Sequence, residues 1–503
     1  MARNSKQVVI ALALLGVASL THAILPANGY VPLGGQAAGV IVKMRNDPTP
    51  LAIARAGGQP RLSTQTVAEM KVVAAANLTF KRTASLGTQV LNFSQPMSVA
   101  EAQAIAERLM TMADVEYAVP NLIIKPMLSP NDPRFVDGTQ WALNSPLAGA
   151  NLPAAWDVTT GSNTVPIAVI DTGYTNHSEL PYANFASDGY DFISDVTAAG
   201  DGDGRDSDAR DEGDFCTADA SNSSWHGTAV MSIIGALTNN NTLMAGVNWN
   251  AKLIPVRILG RCGGTGDDLI DAIRWAAGLS VSGVPDNPNP AKVINMSLGG
   301  FGTCDAATQA AIDDAHAAGA VLIAAAGNEA LPASTSMPAN CNHVMAIASH
   351  DLTGEISYFS NYGDKVDLSA PGEVIYFATC SSTTTYSCDN STAVTTNSGT
   401  SLSAPMVSGV ASLLFAVNDN LNNFYAEEIL RNSARAFVTD SSCIGICGTG
   451  MLDAGAAVAL LNNFVAPATQ IEISNDSGGD VVLAFWISLG LLVWGYRRLR
   501  QRA

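Results

Sequence analysis

Residues 165–173 have the sequence VPIAVIDTG, a continuous apolar run that stops at Asp171. Similar short runs follow at 253–258 (LIPVRI), 292–296 (KVINM) and 320–326 (AVLIAAA), with helical patterns such as 268–277 and 306–317 along the same stretch. Strands that are buried on both faces have this composition. Alternating strands and helices predict an α/β fold with a mostly parallel sheet and helices on both faces.

Polar residues that follow the apolar runs are candidates for chemistry, because the sites of such sheets lie beyond the carboxyl ends of the strands. Asp171 ends the first run and Asn328 follows the run at 320–326. His226 opens a helical segment, and Ser401 lies where a glycine-containing turn leads into another helix. Each residue alone has an ordinary explanation, such as a turn cap, a surface histidine or a helix N-cap. Together they supply a carboxylate, a base, a nucleophile and an oxyanion donor.

Five motifs in this order make the chain resemble the subtilisin-like serine proteases. They are VIDTG at 169–173, HGTAV at 226–230, NMSLGG at 295–300, AAAGNE at 324–329 and GTSLSAP at 399–405. The resemblance implies that Ser401 attacks the scissile carbonyl and that His226 takes and returns the proton. It also implies that Asp171 orients the imidazole, and that Asn328 and the Ser401 N–H bind the oxyanion.

The same resemblance implies a binding site for extended peptide substrates. Its residues would be Ser297, Leu298, Gly299, Gly300, Ala325, Ala326 and Gly327. None of these side chains is charged, so we expect a preference for large apolar or aromatic residues before the cleaved bond. The alternative to an enzyme is a catalytically silent, subtilase-like binding module at the cell surface. A silent relative usually lacks one catalytic residue, whereas all four are present here.

Composition and the N-terminus indicate an exported protein. The 503 residues include 26 Lys and Arg against 44 Asp and Glu, and the net charge of −18 argues against nucleic-acid binding. Arg3 and Lys6 precede an apolar run from Val8 to Leu20, which the small-residue motif Thr21-His22-Ala23 follows, so residues 1–23 are a predicted signal peptide. All eight cysteines lie beyond residue 215 and are expected to form disulfides. Proximity suggests Cys380 with Cys388 and Cys443 with Cys447, and leaves the other four open.

The segment before the protease motifs has a different pattern and contains no cysteine. From residue 39 to about 128 the pattern is strand, helix, strand, helix, strand. It includes a strand at 39–45, a helix opened by the capping box Ser98-x-x-Glu101 and a strand from 115, and it predicts a small α/β sandwich. By resemblance, residues 24–128 form an inhibitory propeptide that occupies the cleft until it is cleaved. Residues 129–465 would then be the catalytic domain, which we expect to be monomeric.

An acidic segment, DGDGRDSDARDEGD at 201–214, has two interpretations. A solvated loop is the ordinary one. The spacing of Asp201, Asp203 and Asp206 around a glycine also places hard oxygen ligands near one another, as calcium requires. We therefore predict a structural calcium ion at these three residues.

The C-terminus has a linker at 466–480 and a hydrophobic tail at 481–503. Val481–Tyr496 comprises sixteen uncharged residues, short of the ~20 that span a bilayer, and arginines follow it. The order of Gly-Gly, apolar run and arginines resembles the C-terminal sorting signals of Gram-negative bacteria, whose tail is removed during export. We expect transient membrane contact and a secreted or surface-exposed product. A permanent anchor is the alternative.

Overall fold

The computed structural model describes residues 36–45, 62–123, 128–187, 189–218, 221–383, 388 and 391–462. The predicted signal peptide, linker and hydrophobic tail lie outside these residues.

Residues 36–45 and 62–122 form a four-stranded antiparallel sheet with two α-helices. The elements are β1 (Gln36–Met44), α1 (Thr64–Ala74), β2 (Thr79–Thr83), β3 (Gln89–Ser98), α2 (Val99–Met110) and β4 (Val115–Leu122). The strand order is β2-β3-β1-β4. The capping box is present, since Ser98 and Glu101 each accept the other's backbone N–H. The sequence pattern predicted one strand fewer, because the polar strand β2 has no alternating apolar residues.

The rest of the described chain alternates strands and helices around a larger sheet. The elements are α3 (Pro133–Val136), α4 (Trp141–Asn144), α5 (Leu152–Trp156), β5 (Pro166–Asp171), β6 (Tyr190–Asp191), α6 (Val196–Ala199), α7 (His226–Gly235), β7 (Lys252–Arg257), α8 (Gly266–Ala276), β8 (Val293–Met296), β9 (Gly300–Phe301), α9 (Ala306–Ala317), β10 (Val321–Ala325), β11 (Ser336–Met337), β12 (Val344–His350), β13 (Val366–Pro371), β14 (Ile375–Thr379), β15 (Ala393–Asn397), α10 (Thr400–Val417), α11 (Asn423–Ser433) and α12 (Ala454–Asn462).

The larger sheet has seven strands in the order β13-β12-β10-β8-β5-β7-β6, and its neighbouring strands are parallel. Alternate residues of β5 point into different cores. Ile167 and Val169 pack with α7 and α10, whereas Ala168 and Ile170 pack with α8 and α9. This arrangement confirms the predicted α/β class with helices on both faces.

Strand β5 is where the connections of the sheet change direction. The chain passes from β5 to β6 and β7 on one side and then returns to β8 on the other. At such a point the loops leave in opposite directions and open a crevice beyond the carboxyl end of the strand. Asp171 is the last residue of β5, so the fold places its carboxylate at this crevice.

The eight cysteines form four disulfides: Cys216–Cys262, Cys304–Cys341, Cys380–Cys388 and Cys443–Cys447. The two near-neighbour pairs agree with the sequence prediction. Within the described ranges, the one helix long and apolar enough to cross a membrane is Thr400–Val417, and 83% of it is buried inside the protein.

Candidate active site

Asp171 and His226 meet at the end of β5. Asp171 is fully buried, and His226 is the first residue of α7. The Nδ1 atom of His226 lies 2.9 Å from both carboxylate oxygens of Asp171. Because a carboxylate only accepts hydrogen bonds, Nδ1 carries the proton and Nε2 is left to act as a base.

Close backbone contact allows this pairing. A Cβ atom on Gly227 would lie only 2.1 Å from the carbonyl oxygen of Gly173, so a residue with a side chain would push α7 away from the turn after β5. The Gly227 N–H also donates to Thr172 Oγ1 at 2.9 Å. The glycine of the HGTAV motif therefore has a steric role in placing the histidine.

The surroundings of His226 favour its protonated form. Burial alone would lower the pKa, but the Asp171 carboxylate outweighs this effect with help from Asp214 and Asp211, and the pKa of His226 is raised. The imidazolium that would form during proton transfer is therefore stabilised.

A second buried acid supports the Asp171 turn. Thr172 Oγ1 donates to Asp211 Oδ2 at 2.5 Å, and Asp211 is fully buried. Burial raises the pKa of Asp211 to about 7, although the Thr172 hydrogen bond opposes the shift. In the sequence, Asp211 stands out only as one of the acids of the 201–214 segment. The one sequence feature that points to this contact is that Thr172, which bonds Asp211, directly follows Asp171.

Ser401 is the second residue of α10, with Gly399 at the N-cap, so it does not cap the helix itself. Its carbonyl oxygen would normally accept the N–H of residue 405, but Pro405 has none. The Ser297 hydroxyl donates to this oxygen instead, at 2.8 Å. Ser297, predicted only as a substrate contact, thus also holds the helix turn that carries Ser401.

Ser401 and Asn328 face the same space. A Cβ atom on Gly399 would lie 3.0 Å from Ser401 Oγ and 3.7 Å from Asn328 Nδ2, so glycine keeps this space open. Ser401, Asn328 and His226 all line one cavity of about 470 Å³, which we call the catalytic cleft. No hydrogen bond joins His226 to Ser401 in the described part of the chain. Such bonds often tighten only when substrate binds.

The amide of Asn328 has a defined orientation. Its Oδ1 atom accepts hydrogen bonds from the backbone N–H and the hydroxyl of Thr400, both at 2.8 Å. A backbone N–H can only donate, so the carbonyl end must face Thr400 and the NH₂ end points away from it. Thr400, which is not among the predicted site residues, therefore orients Asn328 as a donor.

The loop that carries Asn328 is held by a buried asparagine. Asn361 is fully buried, donates to the Ala326 carbonyl and the Glu329 carboxylate, and accepts the N–H groups of Glu329 and Leu331. Gly327 has φ +109°, and a Cβ there would lie 2.1 Å from Asn361 Nδ2. The glycine therefore meets both a conformational and a steric requirement.

Six of the seven predicted substrate-binding residues line the catalytic cleft: Ser297, Leu298, Gly299, Gly300, Ala325 and Gly327. Ala326 does not. Ala325 and Gly327, on either side of it, face the cleft, whereas the Ala326 side chain points the other way. It is buried in a small core with Ala348 and the Cys443–Cys447 disulfide. The cleft also includes Ser336 and Met337 of β11, which the motifs did not identify.

The predicted calcium ligands do not form a metal site. Among the described residues there is no group of three or more His, Cys, Asp or Glu side chains that could hold a metal ion. The Asp201 carboxylate accepts hydrogen bonds from Arg257 and from the Asp203 N–H, and the Asp206 carboxylate accepts the Asp208 N–H. The Arg257 guanidinium thus supplies the positive charge at Asp201, and calcium at these three residues has no support from their geometry.

Another pair of acids has a more suitable environment for a hard cation. Asp132 and Glu179 are both buried, and both accept hydrogen bonds from the Asn239–Asn240 turn. Burial raises the pKa of Glu179 to about 7, and the nearby Asp132 charge adds to the shift. The two carboxylates offer the oxygen ligands that calcium prefers, whereas the Asn240 amide turns its NH₂ towards Glu179 and its oxygen accepts the Thr242 N–H.

Comparisons with known proteins agree with the site geometry. The family model described as "Subtilase family" matches residues 162–457. The chain is 41% identical to "Extracellular protease" from Xanthomonas campestris pv. campestris, covering 90% of this chain and 79% of that protein. It is 35% identical to "Extracellular basic protease" from Dichelobacter nodosus, covering 84% and 72%. A solved protease structure from Pseudoalteromonas arctica shares 45% identity with a TM-score of 0.63, covering 66% of this chain and 100% of that one.

Proposed function

Because the chain belongs to the subtilase family, we propose that it is an exported serine endopeptidase that uses Ser401, His226, Asp171 and Asn328. The observation that carries the proposal is the convergence of nucleophile, base and amide donor on one cleft, with Asp171 behind the base. The names of two similar proteins, "Extracellular protease" and "Extracellular basic protease", support export.

In the first half of the reaction, Ser401 Oγ attacks the scissile carbonyl carbon while His226 Nε2 accepts the hydroxyl proton. The carbonyl oxygen becomes negatively charged and accepts hydrogen bonds from Asn328 Nδ2 and the Ser401 N–H, which lies at the start of α10. His226 then gives its proton to the departing amine, and the C–N bond breaks to leave an acyl-enzyme.

In the second half, a water molecule attacks the acyl carbon while His226 Nε2 accepts a proton from that water. The tetrahedral oxyanion forms again in the same place. Its collapse breaks the bond between the acyl carbon and Ser401 Oγ and releases the carboxylic acid product, and His226 returns the proton to Ser401 Oγ. The contact of the Asp171 carboxylate with Nδ1 fixes the tautomer of His226 and stabilises the transient imidazolium.

The competing proposal is a catalytically silent binding module. It would retain the cleft but would not need the amide of Asn328 turned towards it or an acid behind the histidine. The hydrogen bonds of Thr400 and Asp171 favour the enzyme, because both serve transition-state charges that binding alone does not create.

The cleft also supports a substrate preference. The side chains of the 297–300 and 325–327 segments are uncharged, and Met337 and Phe301 add apolar surface. We expect cleavage after large apolar or aromatic residues, measured as the product profile of the active enzyme on a peptide library. Strict cleavage after arginine or lysine would contradict this expectation.

The small N-terminal sheet leads to a proposal for maturation. Residues 24–128 act as an inhibitory propeptide that the enzyme removes by itself, and the cysteine-free composition and separate sheet of this segment support a separable unit. The Ser401→Ala variant should therefore accumulate as a longer chain that retains residues 24–128. Intact-mass analysis measures this directly. Normal maturation of this variant, without any added protease, would show that another enzyme makes the cut.

The same mass measurement tests the C-terminus. We propose that residues 481–503 contact the membrane transiently and are removed during export. A mature protein that still carries Val481–Ala503 would instead indicate a membrane-tethered protease.

Calcium is proposed at the carboxylates of Asp132 and Glu179. Without a cation, the raised pKa of Glu179 stabilises the fold below its ordinary pKa of about 4.5, and this contribution is lost as the pH rises towards about 7. A calcium ion shared by Glu179 and Asp132 would relieve the cost of burying two charges. We therefore expect calcium to raise the melting temperature more at about pH 8 than at about pH 5.

Two variants distinguish the candidate positions. Glu179→Gln should remove most of the calcium effect on the melting temperature, whereas Asp203→Asn should leave it unchanged. The reverse result would assign the ion to the 201–214 loop. Identical melting curves at about pH 8 with excess chelator and with millimolar calcium would rule out both positions.

A further inference from the structure

The residue before His226 has an unusual backbone conformation. Trp225 is the N-cap of α7, with φ 53° and ψ 35°, which is the left-handed region. A bulky residue rarely adopts this conformation, and it persists only where surrounding contacts hold it. Glycine would adopt it without strain, so the presence of tryptophan calls for a physical reason.

The Trp225 side chain is anchored in a small core of its own. The indole is 1% exposed and packs against Cys380 and Cys388, which form a disulfide. Its Nε1 atom donates to the Ser382 carbonyl at 2.8 Å. We call the side chains of Trp225, Cys380 and Cys388 the indole–disulfide core.

This core connects the two halves of the catalytic machinery. Cys380 directly follows β14, which pairs with β15, and β15 leads through Gly399 to Ser401. The same hairpin contacts the histidine helix, because the Ala378 N–H donates to Ser232 Oγ of α7 at 2.9 Å. The segment before Ser401 and the start of α7 are therefore fastened to one another beside the cleft.

We propose that Trp225, held by the Cys380–Cys388 disulfide, is a positioning residue for His226. The anchored indole fixes the backbone from which the imidazole projects, and so fixes Nε2 relative to Ser401. Trp225 is not among the residues that line the cleft, so it acts through His226 and not on substrate. The proposal rests on the proposed serine-protease function.

The expected effects follow from this geometry. Trp225→Gly keeps the left-handed backbone accessible but removes the anchor, so kcat should fall about 10- to 100-fold, the scale of a displacement near 1 Å. KM should stay within about twofold, since the cleft lining is intact. Trp225→Phe keeps the apolar contact with the disulfide and should recover most of the lost kcat.

Removing the disulfide tests whether Trp225 and the Cys380–Cys388 bond act together on His226. Replacing Cys380 and Cys388 together by alanine removes the wall against which the indole packs and should also lower kcat. Combining this pair with Trp225→Gly should cost little more than either change alone, because residues that act as one unit are not additive. Independent, additive losses would contradict a shared anchor.

The measurements use the full chain, matured in trans by tagged wild-type enzyme that is then removed. For each variant, kcat, KM, the rate of reaction with a fluorophosphonate and the melting temperature are determined. A lower kcat and slower labelling with unchanged KM, in a protein that is folded at the assay temperature, support the proposal. Wild-type kcat in Trp225→Gly overturns it.

If Trp225→Gly does not fold, the disulfide pair decides, and wild-type kcat in the variant with Cys380 and Cys388 replaced by alanine then overturns the proposal. Failure of the proposed function itself looks different. In that case, the parent enzyme would show no hydrolysis that depends on Ser401.

Discussion

Ser401→Ala is expected to abolish hydrolysis of casein and reaction with a fluorophosphonate probe. Alanine removes the oxygen that attacks the carbonyl and leaves α10 intact, because the hydrogen bond from Ser297 is made to the backbone of residue 401. The loss should be about a million-fold in kcat, the scale found when the nucleophile of subtilisin is removed. Release of labelled peptide from casein measures it.

The control is the fold of the variant. Ser401→Ala should have the parent's melting temperature once both carry the same termini, so the variant must first be processed in trans to the termini of the mature parent. Ser403→Ala, two residues further along α10, is a matched control variant. The Ser403 hydroxyl is buried, donates to the Ala370 carbonyl and does not line the cleft. Residual activity of folded Ser401→Ala near the parent level would refute the proposed nucleophile.

Much of the fold could be predicted because the larger sheet is built from buried parallel strands. A strand such as β5 is covered on both faces and therefore has an unbroken apolar sequence, so its position and its polar end at Asp171 are visible in the sequence. The polar edge strand β2 has no comparable pattern and was missed. The strands of the larger sheet could therefore be predicted because their burial requires apolar residues.

The supporting residues of the site could not be found in the same way. Asp211 contacts Thr172 across 39 positions of the sequence, and Arg257 reaches Asp201 across 56. Only the folded chain brings these partners together. The predicted calcium ligands show the consequence, because the acidic spacing was visible in the sequence whereas the guanidinium that pairs with Asp201 was not.

Asn328→Leu is expected to lower kcat with little change in KM. Leucine has nearly the size of asparagine but no N–H to donate, so one of the two proposed oxyanion donors is lost. The negative charge on the carbonyl oxygen forms only in the transition state, and its loss of stabilisation therefore acts on kcat. The expected reduction is about 100- to 1000-fold, a range taken from the corresponding asparagine of subtilisin and not calculated for this chain.

Thr400 provides the matched test of orientation. Thr400→Val removes the hydroxyl that donates to Asn328 Oδ1 but keeps the backbone N–H, so the amide retains one of its two bonds to Thr400. We expect a smaller reduction in kcat than for Asn328→Leu, and Thr400→Ser should restore it because serine keeps the donor. In the Asn328→Leu background, Thr400→Val should have little further effect on kcat, since no amide remains to be oriented. A rise in KM with unchanged kcat in Asn328→Leu would instead place Asn328 in substrate binding.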